Sequence, residues 1–130
     1  IVERFLKDDN FLIISPNMFN ALGLGLTQLY NSSWVYNHKR KGEVEFNNRK
    51  FEFRLKTAFP KNITKEYLLV ELLNNLDRLA EDNTQLLDKL KKNILNYNSD
   101  LLLKATQHYG IGETKQTLKK LLRSILKKDL

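Results

Sequence analysis

In 130 residues the sequence has no cysteine, one tryptophan, one methionine, two prolines and two histidines. Without cysteine there is no disulfide framework, no thiolate metal site and no cysteine nucleophile, the pattern expected of a cytoplasmic protein. No apolar run approaches the roughly 20 residues of a membrane span, and no signal-peptide pattern opens the chain. The chain begins at Ile1, inside the helical pattern IVERFLKDD, and is expected to be part of a longer protein. Neither His38 nor His108 has a carboxylate or second histidine at ligand spacing, so each reads as a structural or surface residue. The sequence has no HExxH, GxSxG or phosphate-loop motif. Gly23-Leu24-Gly25 is too short for a dinucleotide fingerprint and reads as a helix stop and turn. The adjacent carboxylates Glu81 and Asp82 do not converge on one metal or proton. No enzyme activity, cofactor or metal is therefore expected. A nuclease-type enzyme would need a carboxylate cluster that only the fold could assemble.

The chain is 42% hydrophobic and 28% charged, as in a folded globular protein, and its length suits a single domain spanning residues 1–130. The formal charge of +7 is unevenly spread. Residues 38–61 carry eight Lys/Arg against three Glu, a net +5, and residues 111–130 carry six against two acids, a net +4. Clustered positive charge suits a polyanion or an acidic protein face; the plainer alternative is a solvated surface. The candidate binding residues are Lys39, Arg40, Lys41, Arg49, Lys50, Arg54 and Lys56 in the first cluster, and Lys115, Lys119, Arg123 and Lys127 in the second.

The chain is expected to be organised around Trp34 to Lys56. Val44 and Phe46 alternate with Glu43 and Glu45, and Phe51, Phe53 and Leu55 alternate with charged residues, the period of half-buried strands. Asn47-Asn48 between them suits a tight hairpin, because asparagine tolerates left-handed backbone. Upstream, Val2, Phe5 and Leu6 suggest the end of a helix and Phe11 to Ile14 a short strand. Ser15-Pro16 reads as the start of a helix carrying Met18, Phe19 and Leu22 inward and ending near Gly23. Residues 32–38 form the next strand, with Trp34 and Tyr36 on one face and Val35 on the other. Strands over 43–47 and 50–56 follow a basic turn, and Ala58-Phe59-Pro60 closes the sheet.

Four helices follow. Thr64 caps 65–80, whose leucines (68, 69, 72, 73, 76 and 79) keep to one face; Thr84 caps 85–96, with Leu86, Leu87, Leu90 and Ile94 inward. Ser99 caps 100–109, and an amphipathic helix covers 113–128. The fold class is α+β: a small antiparallel sheet packed with helices, 11–60, then a helical half, 64–128. Trp34, Tyr36, Phe46, Phe51 and Phe53 beside lysines could stack nucleic-acid bases, but alternation favours the core for the three phenylalanines.

The order of these phrases resembles the C-terminal domain of the AbiEi family, antitoxins of bacterial abortive-infection type IV toxin–antitoxin systems. The resemblance lies in Ala21-Leu22-Gly23-Leu24-Gly25-Leu26-Thr27, Val35-Tyr36-Asn37, the basic turn, Asn48-Arg49-Lys50-Phe51-Glu52-Phe53 and the aromatic-Pro close. Tyr109-Gly110, Thr114-Lys115, Leu118 and Leu121-Leu122 continue it. The Ala21–Thr27 phrase is spaced more tightly than in the family, and residues 64–98 are generic leucine-rich helix. The resemblance implies a non-enzymatic antitoxin and transcriptional regulator of phage defence, preceded by a winged-helix domain that reads operator DNA. It also implies a nucleotidyltransferase-like toxin as partner. The alternative is a basic nucleic-acid-binding module with no toxin.

Overall fold

The computed structural model describes the backbone of residues 2–26, 30–79 and 85–128, and their side chains up to Arg123 apart from Phe5. The chain divides into two compact units, one formed by Ile1–Met18 with Gln28–Asn62 and the other by Phe19–Thr27 with Ile63–Leu130.

The first unit holds helix α1 (Val2–Leu6) and strands β1 (Phe11–Ile14), β2 (Ser32–Asn37), β3 (Gly42–Phe46) and β4 (Arg49–Leu55). The α+β class stands, but the sheet is mixed rather than antiparallel. Its order is β1-β2-β4-β3, with β2 and β4 parallel and both outer pairs antiparallel. The two connections dictate this. Asn47 (φ 50°) and Asn48 (φ 65°) make a two-residue turn with both central residues left-handed, which forces β3 and β4 to be neighbours. Residues 38–41 are long enough to cross the roughly 10 Å over one intervening strand. They carry the chain past the end of β4 to the outside of the sheet. Composition then decides which strand lies inside: β4 brings Phe51 and Phe53, whereas β3, with Glu43 and Glu45, is better suited to an edge.

Strand alternation sorts Phe51 and Phe53 as expected, whereas Leu55, expected with them, is 50% exposed at the end of β4. Val35, Phe51 and Phe53 form a buried cluster with Val2 and Leu6 of α1, and Phe11, Ile13, Val44 and Phe46 pack half-buried around it. Trp34 and Tyr36 occupy the opposite face and are buried, at 5% and 1% exposure, so neither offers a ring for base stacking.

The second unit is helical: α2 (Lys65–Asn74), α3 (Leu86–Asn93), α4 (Ser99–Tyr109) and α5 (Gly112–Lys128). Thr64 caps α2 as expected, its side chain accepting from Tyr67 N–H at 3.1 Å. This helix differs from the expectation in two ways. Every residue from Glu66 to Leu73 is buried, so its burial is not confined to one leucine face. It also stops at Asn74 instead of running to 80. Asn75 Nδ2 donates to Glu71 O at 2.7 Å, and Asn74 bonds Tyr109 O at 2.9 Å and Ile111 N–H at 3.0 Å. Asparagine side chains that compete for backbone partners favour a helix end over its continuation. One 3₁₀ turn, Leu76–Arg78, follows α2, and another, Ile94–Asn96, follows α3.

Asn98, not Ser99, caps α4, accepting from Leu101 N–H at 3.0 Å. Pro16–Leu22 is 3₁₀ rather than α, and ends at Gly23 with φ 73°. Met18 and Leu87, expected inside, are 37% and 41% exposed. The Thr84 cap lies outside the described residues, as do the side chains of Ile125 and Leu126. No described helix is long and apolar enough to cross a membrane.

Tyr97 joins the turn after α3 to this core, its hydroxyl donating to Leu22 O at 3.3 Å. Burial first, and the Glu66 carboxylate second, raise its phenol above the ordinary value of 10.0. The folded protein therefore resists ionisation to a higher pH than the unfolded chain. Tyr97's contribution is complete below about pH 10 and is lost as pH rises through the folded-state value. In a pH series of denaturant midpoints, Tyr97→Phe is expected to begin about 1 kcal/mol less stable, for the lost hydrogen bond. It should then decline less steeply than the natural protein in alkali; equal alkaline slopes would remove Tyr97 from the account.

Candidate recognition surface

The basic turn is held from below by one buried side chain. Asn37, 1% exposed at the end of β2, accepts through Oδ1 from the N–H groups of Lys39 (2.8 Å) and Arg40 (2.7 Å). Its Nδ2 lies 3.0 Å from Val35 O, 3.0 Å from Arg40 O and 3.5 Å from Arg54 O. Its backbone carbonyl accepts from Lys56 N–H at 2.9 Å. An asparagine reaching its own backbone two residues on is an Asx turn; here it also ties the turn to the strand that the chain crosses. His38 stacks on Phe59, with ring centroids 4.7 Å apart, and so fastens the turn to the segment that leaves β4.

The cations of this unit fall into two groups. Lys39, Arg40, Lys41, Arg54 and Lys56 lie towards the end where β2 and β4 finish. Arg49 and Lys50 lie at the other end, beside the asparagine turn. A strand of six residues at about 3.3 Å each separates these ends by roughly 17 Å. The net +5 of the segment is thus not one continuous patch.

Several of these cations have partners inside the unit. Lys39 lies 3.9 Å from Asp8 and donates to Lys7 O at 3.3 Å. The Arg54 guanidinium lies over the rings of Trp34 (5.1 Å) and Tyr36 (5.4 Å), 3.4 Å from the Tyr36 hydroxyl and 4.0 Å from Glu52. The Lys56 ammonium lies 5.0 Å from the Tyr36 ring centre. Lys41, Arg54 and Lys56 come together in a shallow concavity of about 590 Å³, but Glu43 and Glu52 line it too. At the opposite end Arg49 borders an open cleft of about 700 Å³ with Ser33, Asn48 and Phe51, and Glu3 faces the same space. Lys50 also lines this cleft, and it pairs with Glu45 across β3 and β4.

No protein-family model, curated protein or solved structure matches the chain.

In the second unit Lys115, Lys119 and Arg123 are exposed and four residues apart, one stripe along α5 that flanks buried Thr114 and Leu118. The side chain of Lys127 lies outside the described residues. Among the described residues no three His, Cys, Asp or Glu side chains approach closely enough to hold a metal.

The sequence reading missed Asn37 as a structural centre, although an asparagine between a strand and a basic turn is an Asx-turn signal. Two carboxylates are buried as well: Glu66 accepts from Asn98 N–H at 3.3 Å, and Glu71 lies 3.4 Å from the amides of both Asn74 and Asn75.

Proposed function

We propose that the chain is a non-enzymatic antitoxin-type domain that counteracts a nucleotidyltransferase-like toxin. In this reading it supports repression of its own operon beside a winged-helix domain that reads operator DNA. What carries the reading is the place of the resembling phrases, which fall on joints of the fold. Val35-Tyr36-Asn37 supplies two buried β2 residues and the Asn37 network. Asn48 to Phe53 is the end of the hairpin turn and the inner strand. Tyr109-Gly110 ends α4, where the Tyr109 ring meets that of Tyr67 edge-on at 5.1 Å. Residues that set turns and crossings are those a shared architecture would need.

The division of the ribbon's cations weighs against the second reading, a basic module that binds nucleic acid and has no toxin. Phosphate binding along a strand of nucleic acid is strongest where cations follow one track.

The test is co-expression with the toxin gene in a host that the toxin alone arrests. Growth is expected to recover to near the toxin-free rate. Continued arrest, with the purified protein showing a cooperative unfolding transition, would sink the proposal. Alanine at Lys41, Arg49 and Lys50 together then asks whether the ribbon's cations meet the toxin; lost protection with unchanged stability is the expected result.

A further inference from the structure

We infer that the outer edge of β3 takes up an extended segment of a partner protein as a fifth strand, with residues alternating between apolar and basic. The inference stands on the edge itself and not on the antitoxin reading. In a hairpin closed by a two-residue turn the residues flanking the turn exchange both backbone hydrogen bonds, and pairing then alternates. Phe46↔Arg49 is that closing pair, so Phe46, Val44 and Gly42 direct their backbone groups at β4. The N–H and C=O groups of Glu43 and Glu45 point the other way, to the side where, among the described residues, the sheet has no further strand. They are the donors and acceptors that an added strand would use.

The side chains specify what that strand must carry. Val44 and Phe46 lie half-buried against the Val35–Phe51–Phe53 cluster and form an apolar ledge. Glu43 and Glu45 are exposed on the opposite face. Cross-strand neighbours share a face, so residues opposite Val44 and Phe46 should be apolar and those opposite Glu43 and Glu45 basic. The charge that favours a basic segment is this local acidic row, because the chain's net charge of +7 opposes such a segment at longer range. A second copy is a poor occupant. Any antiparallel register that pairs the whole of β3 with itself sets Glu opposite Glu, and like charges directly opposite destabilise a sheet.

The probe is a short capped peptide of alternating lysine and valine. Saturable binding is expected, with slowed hydrogen exchange at the Glu43 and Glu45 amides. For a peptide that pairs antiparallel to β3, N-methylation of the lysine amides, which then face β3, should abolish binding, whereas N-methylation of the valine amides should not. Glu43→Lys/Glu45→Lys should weaken the peptide about tenfold or more and favour a glutamate–valine peptide instead. The inward-facing Gly42 and Val44 amides report whether the hairpin survives in that variant. The inference is overturned if the double variant, its hairpin intact, binds the lysine peptide equally well. It is equally overturned if the two N-methylated peptides behave alike, if the Glu43 and Glu45 amides are unaffected, or if the edge is already occupied by a second copy in solution.

Discussion

Asn37→Ala is expected to destabilise the protein by about 2–4 kcal/mol, although it removes no apolar contact of any size. The amide of Asn37 serves the N–H groups of Lys39 and Arg40 and the carbonyls of Val35, Arg40 and Arg54. Alanine leaves these groups without that partner; Asn37 itself is 1% exposed, the bond to Val35 is buried and the other four are part-buried. A single net hydrogen bond is worth about 1 kcal/mol, but a buried donor or acceptor left unmade costs about 1–3 kcal/mol. Asn37→Asp separates the two halves of the network. Its carboxylate still accepts from Lys39 and Arg40, but an oxygen now faces the carbonyls of Val35 and Arg40, and repulsion replaces two donated bonds. Both variants should lower the denaturant midpoint and speed hydrogen exchange at the Lys39 and Arg40 amides. If Asn37→Ala moves the midpoint by less than the equivalent of about 0.5 kcal/mol, the crossing is held by its ends and not by Asn37.

That network also marks where the sequence stopped being legible. Alternation in the ribbon failed at Leu55, which is 50% exposed, and at β2, which is buried on both faces, but it placed Phe51 and Phe53 inside correctly, because a strand's period of two is local. The paired asparagines gave the hairpin for the same reason: positive φ at Asn47 and Asn48 is a property of those residues. Strand order is not local. Whether β3 or β4 lies beside β2 depends on the length of 38–41 and on the relative apolarity of two strands. A sheet expected to be antiparallel therefore contains a parallel pair.

The helix ends differed for a related reason. Leucine spacing runs on past Asn74, but Asn74 and Asn75 take backbone partners at Tyr109, Ile111 and Glu71, two of them more than 30 residues away. Of the candidate surface, the cations were legible as a list and their partners were not. Arg54 lies over two aromatic rings and Lys39 beside Asp8 because the fold brings those residues together, while Arg49 and Lys50 end up roughly 17 Å from the basic turn.

The largest loss of stability in the first unit is expected from Phe53→Ala, about 3–5 kcal/mol. Phe53 is 2% exposed and lies in the one row where the inner strands and α1 meet, among Val2, Leu6, Val35 and Phe51. Removing its ring forfeits the transfer free energy of a buried aromatic and opens a cavity. Neighbours on paired strands cannot close that cavity without breaking the ladder that holds them. Leu55 supplies the control, because it lies on the same strand and the same face, two residues on, yet is 50% exposed. Leu55→Ala should cost under about 1 kcal/mol. Comparable losses for the two variants in urea would mean that the sheet's stability does not depend on this cluster. Two compact units allow two transitions, so the measurement needs a probe in each: Trp34 fluorescence for the sheet and far-ultraviolet circular dichroism at 222 nm for the helices. The Phe53→Ala loss is expected in the tryptophan signal, because the cluster it disrupts belongs wholly to the first unit.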